Sequence, residues 1–215
     1  MSRNNYKKPL IIACDGEAAS GKSTGAKMIS RKYKLLLINS GLLYRYASML
    51  ILKHKPKKTI YFLKRKFDKI SYRKISKKNL HSQEISEHVG YLAKKKKIRL
   101  LINKIQKNII KRNKRICVEG RDIASKILSK NPKYHVAFYF KCKIDVASYR
   151  RWKDLKKKVP LNKIKNSLKL RTKLDKNRVH SPLIRVKDSI LIETHKFTKK
   201  QMLNKMIDEV EKKLN

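Results

Sequence analysis

The sequence predicts an α/β fold, a parallel sheet with helices on both faces. Three observations carry this. Short apolar runs alternate with stretches in which apolar residues recur at helical spacing. The runs are continuous rather than alternating with polar residues, as strands buried on both faces are. The first run passes through a loop with glycine at both ends into a helical pattern, the strand–loop–helix order of a phosphate-binding unit.

The elements follow in order. A strand opens at Leu10, and Lys22 to Tyr33 reads as a helix. Leu35 to Ile38 is a second strand, broken by Asn39-Ser40-Gly41. Leu42 to Leu52 is helical, and Pro56 ends it. Lys57 to Gln83 is ambiguous, with helical spacing at Ile60, Leu63 and Phe67. Val89, Leu92, Ile98, Leu101, Ile102, Ile105 and Ile109 predict one long or broken helix over 85–110. Ile116 to Val118 is a strand and Ile123 to Leu128 a short helix. Tyr134 to Phe140 is rich in aromatic and β-branched residues and reads as a strand. Asp145 can cap a helix to about Lys158, which Pro160 interrupts; Leu161 to Leu174 is helical again. Ser189 to Ile192 is the last strand, and Thr198 can cap a final helix to Leu214.

Composition narrows the class. A chain of 215 residues, 40% hydrophobic, suggests one domain with mobile subdomains. No apolar run approaches the ~20 residues of a membrane span. Met1 to Pro9 is polar, without a secretory core, so a cytoplasmic protein is expected. Cys14, Cys117 and Cys142 lack metal-ligand spacing and read as buried free thiols in a reducing compartment. The net charge is +44, from 59 Lys and Arg against 15 Asp and Glu. Such a charge alone would suggest nucleic acid. Yet the lysines are spread along the chain, and the runs Lys94–Lys97 and Lys156–Lys158 have no aromatic interleaving to stack bases. No specific nucleic-acid partner is expected, and self-repulsion favours a monomer.

Gly16-Glu17-Ala18-Ala19-Ser20-Gly21-Lys22-Ser23 fits G-x-x-x-x-G-K-[ST], and Thr24 follows it. The glycines permit backbone angles that turn N–H groups inward around phosphate oxygens. The helix that follows adds the positive end of its dipole. Lys22 is suited to the β- and γ-phosphates of a nucleoside triphosphate and Ser23 to Mg²⁺. Strand-end acids Asp15 and Glu119 could each hold a metal-bound water. A parallel sheet places its ligand beyond the carboxyl ends of the strands. Three further clusters fall where they can reach that crevice: Ser40 to Arg45, Glu119 to Asp122, and Arg171 to Arg178. None contains a histidine or cysteine, so the chemistry they suggest is charge neutralisation of polyanions.

From Ile11 to about Val210, the joint order of these motifs resembles the bacterial cytidylate kinases. These are the (d)CMP kinases of the P-loop nucleoside monophosphate kinase family. The resemblance rests on DGxxxSGKST at Asp15–Thr24, SGxxYR at Ser40–Arg45, GRD at Gly120–Asp122, and the spaced Arg171, Asp175 and Arg178. Ile98-Arg99 with Gln106-Lys107 looks like a further family segment. It implies a P-loop NTPase-type core over 9–40, 99–148 and 172–215. It also implies an NMP-binding insert at about 41–98 and a lid at about 149–171. It implies transfer of a phosphoryl group from ATP to CMP or dCMP, with Mg²⁺. Lys22, Arg171 and Arg178 would be catalytic. The loop from Gly16 to Thr24, with Arg150, would bind ATP. Ser40, Tyr44, Arg45, Arg99, Arg121, Asp122 and Asp175 would bind CMP. The chain departs from the family at Glu17, commonly Pro or small; at Asn39, usually Asp; and near Gly90, where a base-reading Ser is absent. Other readings are a P-loop kinase for dTMP, AMP or a metabolite, and a basic nucleic-acid-binding NTPase.

Overall fold

The computed structural model describes residues 8–80 and 82–214. The polar segment Met1 to Lys7 lies outside them. A five-stranded parallel sheet forms from β1 (Leu10–Gly16), β2 (Leu36–Asn39), β3 (Arg115–Glu119), β4 (Val136–Lys141) and β5 (Ile190–Glu193), in the order β2-β3-β1-β4-β5. β1 is buried along its whole length because it pairs on both edges. Leu10 stands opposite Arg115 of β3, and Gly16 opposite Phe140 of β4. A strand so placed has no face for water, which is why its sequence is unbroken LIIAC.

By chain contacts the molecule divides into two compact units, one of residues 1–37 and 113–215 and one of Ile38–Arg112. In the first, α1 (Lys22–Lys32) and α9 (Lys199–Leu214) pack on the sheet. Ala26 and Ile29 of α1 and Met202, Met206 and Val210 of α9 share one core with Ile12, Cys14, Phe138 and Phe140. The hairpin of α7 (Ile144–Asp154) and α8 (Leu161–Lys176) closes on a smaller core of Ala18, Cys142, Ala147, Ile164 and Leu168. The second unit holds α2 (Ser40–His54), α3 (Thr59–Asp68), α4 (Tyr72–Ser76), α5 (Gln83–Leu92) and α6 (Lys96–Lys111) around Leu43, Tyr46, Leu50, Leu63, Phe67, Ile98 and Ile102. α6 therefore packs with the insert, although its sequence position reads as a return to the core.

Two local expectations change, at Ile123 to Leu128 and at Asp145, and two hold with added detail. The second strand ends at Asn39, as Asn39-Ser40-Gly41 predicts, but without a loop: β2 runs straight into α2, with extended Asn39 as the preceding residue. The helical pattern over 85–110 takes the broken form of the expectation, two helices parted at Ala93 to Lys95. Ile123 to Ile127 is a single π-helical turn. Asp145 lies inside the first turn of α7 rather than at its cap, and its carboxylate pairs with Lys165 of α8. Thr198 does cap α9: its hydroxyl accepts from the Gln201 N–H, and the Gln201 side chain accepts from Thr198 N–H at 2.9 Å, a reciprocal capping box.

Candidate active site

The phosphate-binding loop leaves β1 at Gly16, where the backbone crowds β4. A Cβ there would lie 2.3 Å from the Phe140 carbonyl oxygen, so no side chain fits. Glu17 N–H donates to that same carbonyl at 3.1 Å. Ala19 takes a positive φ of 53° and Gly21 one of 79°, the second at the entry to α1. Thr194, just past β5, braces the loop from behind: its hydroxyl donates to the Ser20 carbonyl at 2.9 Å. Arg150 of α7 grips Thr194 in turn, through the hydroxyl at 3.3 Å and the carbonyl at 3.1 Å. The ATP-binding expectation for Arg150 thus meets a guanidinium engaged behind the loop. Thr194 itself carries no sequence signal, because its partners are far away in the chain.

Lys22 opens α1 and is buried. Burial, and then repulsion from Arg121, lower its ammonium to about 8, while Glu119 and Asp15 pull it back up. Next to it, the Ser23 hydroxyl donates to Glu119 Oε1 at 3.1 Å. Glu119 Oε2 is buried with no hydrogen-bond partner. A hydroxyl and a carboxylate with an open oxygen are hard donors of the kind Mg²⁺ takes.

Asp15 has a different task. Its two carboxylate oxygens accept from the N–H groups of Ile123 and Ala124, at 2.9 and 2.8 Å. It thereby fixes the π-helical turn after Gly120-Arg121-Asp122 to the end of β1. Burial pushes its carboxyl up to about 6, against the opposing pull of those two amides.

A second charge cluster lies in the same unit. Arg121 Nε donates to Asp175 Oδ2 at 2.8 Å, and Arg178 Nη1 stands 3.5 Å from Asp175 Oδ1. One α8 carboxylate thus holds two arginines. Lys176, the next residue, pairs with Glu17 of the phosphate-binding loop at 2.7 Å. Arg171 lies one turn earlier on the exposed side of α8. Asp122 is buried at the start of the π-helical turn.

The remaining predicted residues belong to the other unit. Ser40 begins α2, and its hydroxyl donates to Gln106 of α6 at 2.8 Å, both side chains buried. Arg45, one turn on, donates to the Leu80 carbonyl at 3.0 Å and to the Ser86 hydroxyl at 2.8 Å. Arg99 of α6 sets its guanidinium 5.9 Å from the ring centre of buried Tyr44. Its Nη1 donates to the Ala93 carbonyl at 3.4 Å. Ser40, Tyr44, Arg45 and Arg99 are thus set on two helices, α2 and α6, of one small core. No helix among the described residues is long and apolar enough to cross a membrane. No group of three or more His, Cys, Asp or Glu side chains poised for a metal is found among them either.

The family model described as "Cytidylate kinase" matches residues 12–212. A cytidylate kinase of Clostridium botulinum is 31% identical over 217 residues, covering 94% of this chain and 98% of that protein. A bifunctional pantoate ligase/cytidylate kinase of Prochlorococcus marinus is 32% identical, but this chain spans only 43% of it. Among solved structures, an uncharacterized protein from Eubacterium ventriosum superposes with a TM-score of 0.56 at 19% identity, covering 95% of this chain and 99% of that one. TT1252 from Thermus thermophilus gives 0.55 at 14% identity, covering 97% and 100%. At such identities these two speak for the fold alone. The family match is carried by the sequence along nearly all of its length, and this chain belongs to the cytidylate kinase family.

Proposed function

We propose that the chain transfers the γ-phosphoryl group of ATP to CMP or dCMP. The observation that carries this is one unit in which a buried Lys22 at a helix N-terminus shares its surroundings with Arg121, the arginine that Asp175 pairs. Family membership supplies the acceptor. The acceptor is itself a phosphate, ionised to near −2 at neutral pH. It needs no base to unmask it. What the reaction requires is neutralisation of charge on the transferring group and exclusion of water.

On this reading, Lys22 and the N–H groups of the loop hold the ATP phosphates. Arg121, Arg45 and Ser40 hold the acceptor phosphate, Arg171 and Arg178 span donor and acceptor, and Asp175 also serves a ribose hydroxyl. Ser23 would hold Mg²⁺ directly and Glu119 through water. Bound there, the ion supplies countercharge to the β- and γ-phosphates. Cytosine offers an amino donor and two acceptors on its pairing edge. Asp122 suits the amino group, and Arg99 suits N3 and O2. Uracil would turn an acceptor towards the Asp122 carboxylate and leave buried polar groups unpaired.

The test is a coupled ADP-release assay across the common nucleoside monophosphates. CMP and dCMP should give the highest kcat/KM, with UMP behind them. A higher value with AMP or dTMP would move the acceptor. Release stimulated by nucleic acid rather than by any monophosphate would overturn the reading.

A further inference from the structure

A carboxylate stands inside the loop that is to hold phosphates. Glu17 is the second residue of that loop, and its side chain is only 15% exposed. Its backbone is fixed there by the N–H donated to Phe140. Left unpaired, its negative charge would act against every phosphate brought to the neighbouring amides, across a site where charges are poorly screened. Its charge is paired with Lys176 Nζ, 2.7 Å from Oε1.

Lys176 occupies a telling position. It follows Asp175, the residue that holds Arg121 and Arg178. The end of α8 therefore presents an acid that collects two arginines, then a base that cancels the acid of the loop. We infer that Lys176 is a positioning residue for ATP: by neutralising Glu17 it lets a carboxylate reside in the phosphate-binding loop, and it ties the end of α8 to that loop. It acts through Glu17 and not by touching phosphate. The inference rests on the ATP-binding part of the proposed function and extends it to Lys176, a member of the 171–178 cluster to which no role was assigned.

A direct phosphate ligand and a counterion for Glu17 differ in one measurable respect. The value of a counterion depends on the acid being present. Affinity for ATP without acceptor is measured by calorimetry for the wild type, Lys176→Met, Glu17→Gln and the double variant. Methionine keeps the aliphatic stem, and glutamine keeps the shape of Glu17. Lys176→Met should weaken ATP about tenfold, equivalent to about 1.4 kcal/mol. In the Glu17→Gln background the same change should cost less than about twofold, because no acid remains to be neutralised. Glu17→Gln alone should tighten ATP, because the loop loses a negative charge while the Lys176 ammonium remains. With the pair half-exposed on the lysine side, thermal midpoints should stay within about 3 °C of wild type, which separates the effect from folding. An equal loss in both backgrounds would make Lys176 a direct phosphate ligand and overturn the inference. So would no loss in the wild-type background. Failure of the wild type to bind ATP at all would instead count against the proposed function.

Discussion

Single residues here carry two kinds of charge burden, and they respond differently to substitution. Burial lowers the Lys22 ammonium to about 8, still mostly charged at neutral pH, so an arriving anion stabilises it. Lys22→Ala should lower kcat/KM by about 100- to 1000-fold, the scale of removing one preorganised charge donor. Steady-state kinetics on refolding-competent protein checks this; turnover near wild type would remove Lys22 from the phosphates. Asp15 is a structural acid. Asp15→Asn replaces one acceptor by a donor facing a backbone N–H, and should cost about 1–3 kcal/mol of stability at neutral pH. Its sign with pH is opposite to the common carboxylate. Its folded value of about 6 lies above the ordinary 3.8. Between those values the native state keeps a proton that the unfolded chain has shed, so this group's contribution falls as pH rises through that window and is level above it. The difference in thermal midpoint between wild type and Asp15→Asn should therefore be larger near pH 4 than near pH 7. A difference that widens towards pH 7 would mean the two amides, not burial, dominate Asp15.

At the scale of elements, the close approach of β1 and β4 is the most sensitive feature. Gly16→Ala sets a methyl 2.3 Å from a backbone oxygen, which cannot rotate away. The strand end or the loop must shift, at about 1–3 kcal/mol or more. For a chain of this size that lowers the melting midpoint by roughly 2–4 °C per kcal/mol. Calorimetry decides: an unchanged midpoint would show that the loop yields freely. The end of α8 carries a kinetic prediction. Arg178→Ala should lower kcat far more than it raises KM, because charge on the bridging oxygens grows in the transition state. Arg178→Lys should rescue poorly, since a planar fork becomes a point charge. A pure KM effect would reassign Arg178 to ground-state binding. The inner strands were legible because burial on both faces makes them unbroken apolar runs, as in β1 and β4. The glycine-bounded loop from Gly16 to Ser23 was legible because its residues are consecutive. What stayed hidden depends on partners distant in sequence. The π-helical turn is shaped by Asp15, over 100 positions earlier. Thr194 reaches back 174 positions to Ser20. Asp145 found Lys165 on the next helix instead of a cap. That α2 starts directly at Ser40 was not legible either, because the Ser40 hydroxyl finds its partner in Gln106, 66 positions on.

For the whole molecule, the dominating quantity is a net charge of +44 on 215 residues. Such a field reaches about 10 Å at 0.1 M salt and about 3 Å at 1 M. Both proposed substrates are polyanions, so the field raises their local concentration and their rate of encounter. Pairs within the site, such as Arg121 with Asp175 at 2.8 Å and about 15% exposed, are far less open to screening. The two consequences separate in kinetics. KM for ATP and for CMP should each rise by about tenfold between roughly 0.05 and 0.5 M NaCl, while kcat changes by less than about twofold. A neutral osmolyte at matched osmolality should leave both unchanged, since it does not screen. If both KM values stay flat with salt, the lysines are a solvated shell with no part in substrate capture. If kcat falls in step with affinity, the salt is reaching the transferring group itself, and the arginine cluster around Asp175 is more open to water in turnover than its pairing in the ligand-free chain indicates.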